Sequence, residues 1–65
     1  MRADMKKMDL AMARACMNIP DIAKASGIPV QSINNLRKGR GVRPITLGKI
    51  AKALGVDPAD LIKED

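Results

Sequence analysis

The sequence predicts an all-α fold in which five short helices pack into a compact bundle. Apolar residues recur at spacings of three and four, and residues that cap or break helices separate the apolar stretches. No stretch alternates between apolar and polar residues as a half-buried strand does. With 65 residues and no aromatic side chain, the chain is expected to form one domain, residues 1–65, with a small aliphatic core.

The first helix is predicted over residues 5–16, with Asp4 as its N-cap and Asp9 as an alternative start. One face of this helix is apolar and consists of Met5, Met8, Met12, Ala15 and Cys16. Because Met is apolar and flexible, we interpret these methionines as residues that fill the core.

The second helix is predicted to begin after Asn18, a good N-cap, and Asp21 three residues later completes a capping box. Gly27 is expected to end this helix in the left-handed conformation, which glycine adopts without steric cost. Ala23, four residues before Gly27, places a small side chain against the turn, so that the next helix can cross closely. The pattern indicates a helix-turn-helix (HTH) over about residues 18–37.

The third helix is predicted from about Pro29 to Arg37, and Gly39 follows as its stop. Ile33 and Leu36 lie three residues apart and are expected to face the core. The other side of the helix carries Val30, Gln31, Ser32, Asn34 and Asn35.

The fourth helix is predicted to begin at Pro44 and to have Gly55 as its C-cap. Its buried stripe consists of Leu47, Ile50, Ala51 and Leu54. Asp57 and Pro58 form a cap followed by a first-turn proline, which predicts a short fifth helix. The residues of this fifth helix that are expected to face inward are Leu61 and Ile62.

The polar face of the third helix has an unusual composition. Asn is a poor helix former, so two adjacent asparagines in a short helix indicate a role other than helix stability. Gln and Asn can each make two hydrogen bonds to adenine in the major groove of DNA, and Val can contact a thymine methyl group. The candidate base-contacting residues are therefore Val30, Gln31, Ser32, Asn34 and Asn35. The alternative is a neutral polar face without a role.

A basic loop is predicted over residues 38–43. The chain has a net charge of +5 and a pI near 9.9, and four of its 12 basic residues fall within the seven residues 37–43. Lys38, Arg40 and Arg43 are candidate phosphate contacts that would fix the register of a recognition helix. Asn18, at the start of the second helix, is another. The alternatives are a solvated charged loop and a purely structural cap at Asn18.

The composition excludes several classes of function. One cysteine, Cys16, and no histidine exclude a zinc site of Cys and His ligands, and no metal, cofactor or small-molecule ligand is expected. Without a histidine base, and with Cys16 on an apolar helix face, an enzyme is not expected. No apolar run reaches the roughly 20 residues of a membrane span, and no signal peptide is recognisable. Together with the lone cysteine, this predicts a cytoplasmic protein.

Three sets of residues form a pattern that extends beyond the HTH itself. They are Ala23-x3-Gly27 with Ile33, the run SINNLRKGRGVRP at residues 32–44, and the run IAKALGVDPADLI at residues 50–62. Together they resemble the Cro/repressor type of HTH domain, the lambda-repressor-like or Xre family, over about residues 9–62. The resemblance implies a five-helix lambda-repressor-like bundle whose third helix enters the major groove.

The resemblance also implies residue roles. The family's base-contacting positions fall on Val30, Gln31 and Asn35, with Ser32 and Asn34 beside them. Its backbone-contacting positions fall on Asn18, Lys38, Arg40 and Arg43. Two positions depart from the family pattern. Ile19 replaces a frequent Gln and removes one phosphate contact, and Pro29 replaces a Ser or Thr and changes only the capping.

The sequence therefore predicts a sequence-specific transcriptional regulator that binds a double-stranded DNA operator. Because the chain ends soon after the fifth predicted helix, no separate ligand-binding or dimerisation domain is expected. A homodimer, including one that assembles only on DNA, is compatible with the sequence. The alternatives are an antitoxin that shares this fold and binds a toxin protein, and an HTH module that binds a protein instead of DNA.

Overall fold

Four α-helices are present in the structure, a computed structural model that describes residues 1–63. They are α1 (Met5–Ala15), α2 (Ile19–Ser26), α3 (Val30–Arg37) and α4 (Pro44–Leu54). No β-strand occurs within residues 1–63, although an isolated antiparallel bridge pairs Ala3 with Ile62. The predicted compact, all-helical fold is confirmed, with extents of 29 × 21 × 18 Å. The last two residues of the predicted domain, 64 and 65, lie outside the described part.

The prediction of a fifth α-helix is wrong, because a single 3₁₀ turn, Pro58–Asp60, stands in its place. The predicted cap is present: Asp57 Oδ1 accepts a hydrogen bond from the Ala59 N–H at 2.8 Å. The turn ends where the Leu61 N–H bonds to Pro58 O at 3.0 Å. A single turn gains few hydrogen bonds for the dihedral freedom that it loses, so it extends only where packing supports it.

The chain beyond this turn pairs with the N-terminal segment instead of continuing as a helix. The Lys63 N–H donates to Arg2 O at 2.9 Å, and the Asp4 N–H donates to Leu61 O at 2.8 Å. The two segments therefore lie antiparallel. Leu61 is fully buried as predicted, whereas Ile62 is half-buried.

The core consists of apolar side chains from all four α-helices and from the segment after the 3₁₀ turn. The largest fully buried side chains are Met8, Ile22, Ile33, Leu47, Ile50 and Leu61. Leu36, Ala51 and Leu54 are also buried, so the inward faces predicted for the third and fourth helices are confirmed. Met5 is exposed, although the sequence pattern assigned it to the apolar face. Within the described chain no polar or charged residue is buried.

The helix boundaries predicted from capping residues are largely confirmed. Asp4 caps α1, and Asn18 with Asp21 forms a reciprocal capping box at α2, with N···O distances of 2.9 and 3.0 Å. Gly27 ends α2 with a φ of 74°, a conformation in which an L side chain is strained. Pro29 precedes α3 and provides no side-chain cap.

The end of the first helix differs from the prediction. α1 stops at Ala15, and Cys16 is exposed in the left-handed conformation, with a φ of 54°. Its N–H bonds to Ala13 O at 3.2 Å, and the Met17 N–H bonds to Met12 O at 3.0 Å. These two bonds close the C-terminal turn of α1 and require a left-handed residue at that point. The placement of Cys16 on the apolar face of the helix is therefore wrong.

Candidate nucleic-acid interface

Hydrogen bonds at the end of α2 fix the start of the turn between α2 and α3. The Gly27 N–H bonds to Ala23 O at 2.9 Å. The Ser26 hydroxyl donates to Ile22 O at 2.6 Å and accepts from the Ile28 N–H at 3.2 Å. Sequence reasoning missed this role of Ser26, although Ser is a frequent local hydrogen-bonding residue at turns. The backbone that leads from α2 toward α3 thus follows a defined course.

The outward side of α3 is polar, but its exposure changes along the helix. Gln31 and Ser32 in the first turn are exposed, and Val30 is 42% exposed. Asn34 and Asn35 are half-buried, so the structure covers them more than the sequence pattern indicated. No hydrogen bond within residues 1–63 engages these amide and hydroxyl groups. Their hydrogen-bonding capacity remains available to a ligand.

A cleft of about 390 Å³ runs along one side of α3 and separates it from the start of α4. Ser32 and Asn35 line one wall, and Arg43 and Thr46 line the other. The cleft thus combines a hydroxyl and an amide with a cation, and we call it the α3–α4 cleft. Thr46 was not among the predicted site residues, because nothing in its sequence context indicates that it faces α3.

The basic loop presents its three predicted cations to solvent. Lys38, Arg40 and Arg43 are exposed, and none of them has an ion-pair partner in the described chain. The loop begins by folding back on α3, where the Arg40 N–H bonds to Asn35 O at 3.3 Å and Gly39 has a φ of 86°. The loop's cations therefore lie directly beyond the C-terminal end of the polar helix.

Arg37 behaves differently from the cations that follow it. Its Nη2 lies 2.7 Å from Oδ1 of Asp9 on α1, and the side chains are 28% and 53% exposed. Its Nε is buried and has no hydrogen-bond partner in the described chain. Arg37 therefore connects the end of α3 to α1. No sequence pattern indicates this pair, because 28 residues separate its members.

Asn18 has most of its polar groups engaged in the capping box. Its Oδ1 accepts from the Asp21 N–H, and its own N–H donates to Asp21 Oδ2. The side-chain Nδ2 is the remaining donor that could reach a phosphate, and Asp21 adds a negative charge beside it. A phosphate contact at Asn18 stays a prediction. Ile19 packs half-buried against the core and makes no polar contact.

A metal site and a membrane-spanning helix each need features that residues 1–63 do not provide. No group of three or more His, Cys, Asp or Glu side chains is arranged to hold a metal ion there. None of the helices in this part of the chain is both long and apolar enough to cross a bilayer. The polar face of α3, with the basic loop beside it, is a candidate site in the described structure.

A comparison with known families covers nearly the whole chain. The family model for the Cro/C1-type HTH DNA-binding domain matches residues 5–64, which include all four α-helices. No curated protein and no solved structure gives a significant match. Because the family model covers nearly the whole chain, this protein belongs to the family of Cro/C1-type HTH DNA-binding domains.

Proposed function

We propose that the protein is a sequence-specific regulator of transcription that binds double-stranded DNA with α3 in the major groove. The observation that carries this proposal is that the amide and hydroxyl face of α3 lies beside three cations of the following loop. Within residues 1–63, neither that face has a side-chain hydrogen bond nor those cations an ion-pair partner. With its side chains an α-helix is about 10–12 Å in diameter, which suits the roughly 12 Å width of the groove.

The first turn of α3 would read base edges most directly, because its side chains are the most exposed. Gln31 can pair with adenine, and Val30 can contact a thymine methyl group. Ser32, Asn34 and Asn35 would add contacts from the more covered positions. Asn35 lies in the α3–α4 cleft with Arg43, so a base contact and a phosphate contact can be made side by side.

The basic loop would fix the depth of α3 in the groove. Lys38, Arg40 and Arg43 would each neutralise a phosphate, and Asn18 would contribute through its Nδ2. Phosphate contacts of this kind position a protein on DNA without reading sequence. Each of the three cationic contacts is expected to add about −0.9 to the slope of log K against log salt concentration.

Regulation would follow from occupancy of an operator, which limits the access of polymerase to the promoter. We propose that two copies bind two-fold related half-sites about one turn of DNA apart, and that they assemble on the DNA. Because this role requires access to the chromosome, we propose a cytoplasmic location.

The first experiment is a fluorescence anisotropy titration with labelled DNA, since the chain has no aromatic residue to serve as an intrinsic probe. The fragment directly upstream of the gene is compared with a scrambled duplex at two salt concentrations. A preference of about 10³ or more for one fragment is expected of a specific regulator. If the protein binds both fragments equally, the operator is identified instead by selection from a random-sequence DNA library. The absence of binding to any duplex at low salt would contradict the proposal and favour a protein partner.

A further inference from the structure

A second cleft, of about 330 Å³, lies where α1 begins and α3 ends. Its walls come from the N-terminal segment, the first turn of α1, the end of α3 and the segment after the 3₁₀ turn. The basic residues that line it are Arg2, Lys6, Arg37, Lys38 and Lys63. Asp4 is the one acidic residue among the described residues that line it. We call this site the basic cleft.

Backbone hydrogen bonds hold the walls of the basic cleft together. The Asp4 N–H bonds to Leu61 O, and the Lys63 N–H bonds to Arg2 O. These bonds join the N-terminal segment to the segment after the 3₁₀ turn. On the other side of the N-terminal segment, the Val42 N–H donates to Met1 O at 2.7 Å. The N-terminal segment therefore joins the basic loop to the end of the described chain. Folding therefore brings the cations of the basic cleft together before a ligand binds.

Within residues 1–63, the charges that line the cleft are not balanced. Arg37 is paired with Asp9, and Asp4 Oδ1 accepts from the Lys7 N–H as the cap of α1. Arg2 and Lys6 are exposed and have no ion-pair partner in residues 1–63. The first turn of α1 also lines the cleft, and the helix dipole adds positive potential there. An anion in the cleft would relieve the repulsion among these cations.

We infer that the basic cleft binds a backbone phosphate of the same DNA duplex that α3 reads. Lys38 lines the cleft and also begins the basic loop, so the positive surface is continuous from one to the other. The described residues that line the cleft offer cations but no amide side chain that could read a base, which suits phosphate recognition. This inference rests on the proposed function and lengthens the DNA footprint beyond the end of α3.

The test compares two double variants that remove the same charge. In Arg2→Gln with Lys6→Gln, both cations come from the basic cleft. In Lys24→Gln with Lys52→Gln, both come from exposed positions in the last turns of α2 and α4, outside the cleft. Binding to a long duplex is measured at several salt concentrations, and far-UV circular dichroism verifies that each variant is folded. The backbone bond of Arg2 O is retained in the Gln variant.

The cleft variant is expected to lower the magnitude of the salt slope by about one, since the loss of one phosphate contact removes about 0.9. The control variant is expected to keep the slope of the unaltered protein. Equal slopes in the two double variants would overturn the inference and leave the proposed function standing. Failure of the unaltered protein to bind any duplex would overturn both.

Discussion

At the residue scale, the cations around the end of α3 differ in what they contact. Arg37 pairs with Asp9 of α1, whereas Lys38, the next residue, is exposed and has no ion-pair partner within residues 1–63. Proximity in sequence therefore does not make these residues equivalent. One is expected to position the helix and the other to contact DNA.

The substitutions Arg37→Gln and Lys38→Gln test this distinction between two adjacent residues of the same charge. Lys38→Gln is expected to reduce the magnitude of the salt slope on duplex DNA by about one, because it removes a phosphate contact. Arg37→Gln is expected to leave the slope unchanged. It should lower the free energy of unfolding by about 0–1 kcal/mol, as for other partly exposed ion pairs. An equal decrease of slope in both variants would show that Arg37 also contacts phosphate.

Asn35 tests whether α3 reads bases. On a selected operator, Asn35→Ala is expected to cost about 1–3 kcal/mol of binding free energy, because a bidentate contact to adenine is lost. On random DNA the same variant should bind almost as well as the unaltered protein. Anisotropy titrations with both duplexes measure the difference. If the two losses are equal, Asn35 does not contribute to sequence reading.

At the element scale, the turn between α2 and α3 determines how the recognition helix is presented. Gly27 has a φ of 74°, and a Cβ built on it would have no heavy atom within 4 Å. Gly48, inside α4, also has open space around its Cβ position but has an ordinary helical φ. Because a Cβ at either position would overlap no other atom, substitutions at the two glycines differ in the backbone strain that they cause.

The same substitution at these two positions is expected to have opposite effects. Gly27→Ala should destabilise the fold by about 1–2 kcal/mol, because the left-handed conformation is strained for an L residue, and Gly27→Val should cost more. Gly48→Ala should stabilise it by about 0.5–1 kcal/mol through the lower entropy of the unfolded chain. Urea unfolding followed by far-UV circular dichroism measures both values. A stabilising Gly27→Ala would contradict the assigned conformation.

Local signals account for the parts of the fold that the sequence predicted well. The caps at Asp4 and Asn18 and the glycine at 27 act within a few residues, and each is observed. The fifth helix was predicted wrongly because its continuation depends on the N-terminal segment at the other end of the chain. Similarly, sequence periodicity assigned Asn34 and Asn35 to an outward face, but tertiary packing determines how much of each is covered.

At the scale of the whole molecule, the candidate site depends on contacts between distant segments. The α3–α4 cleft joins two helices, and the basic cleft joins both ends of the described chain. The sequence predicted which cations lie in the basic loop, since they are adjacent along the chain. It could not indicate that Arg2 and Lys63 approach this loop from elsewhere, because only the folded backbone brings them there.

The pairing between the two ends of the described chain also has a consequence for hydrogen exchange. It closes a loop that contains nearly all of the protein, and the entropic cost of closure grows with loop length. This contact is therefore expected to form late in folding and to open first, while the helical core stays intact. The amide protons of Asp4, Val42 and Lys63 should then exchange with solvent faster than those of Ile33 and Ile50 in the core.

Exchange measured by NMR at several denaturant concentrations tests this order. The amides of Asp4, Val42 and Lys63 should exchange through a local opening whose free energy depends little on denaturant, because the opening exposes little surface. The core amides should instead exchange through global unfolding. Uniform, strongly denaturant-dependent exchange at all five positions would contradict this. A duplex that occupies the basic cleft should slow the three fast amides selectively, so that their exchange reports the outer edge of the DNA contact.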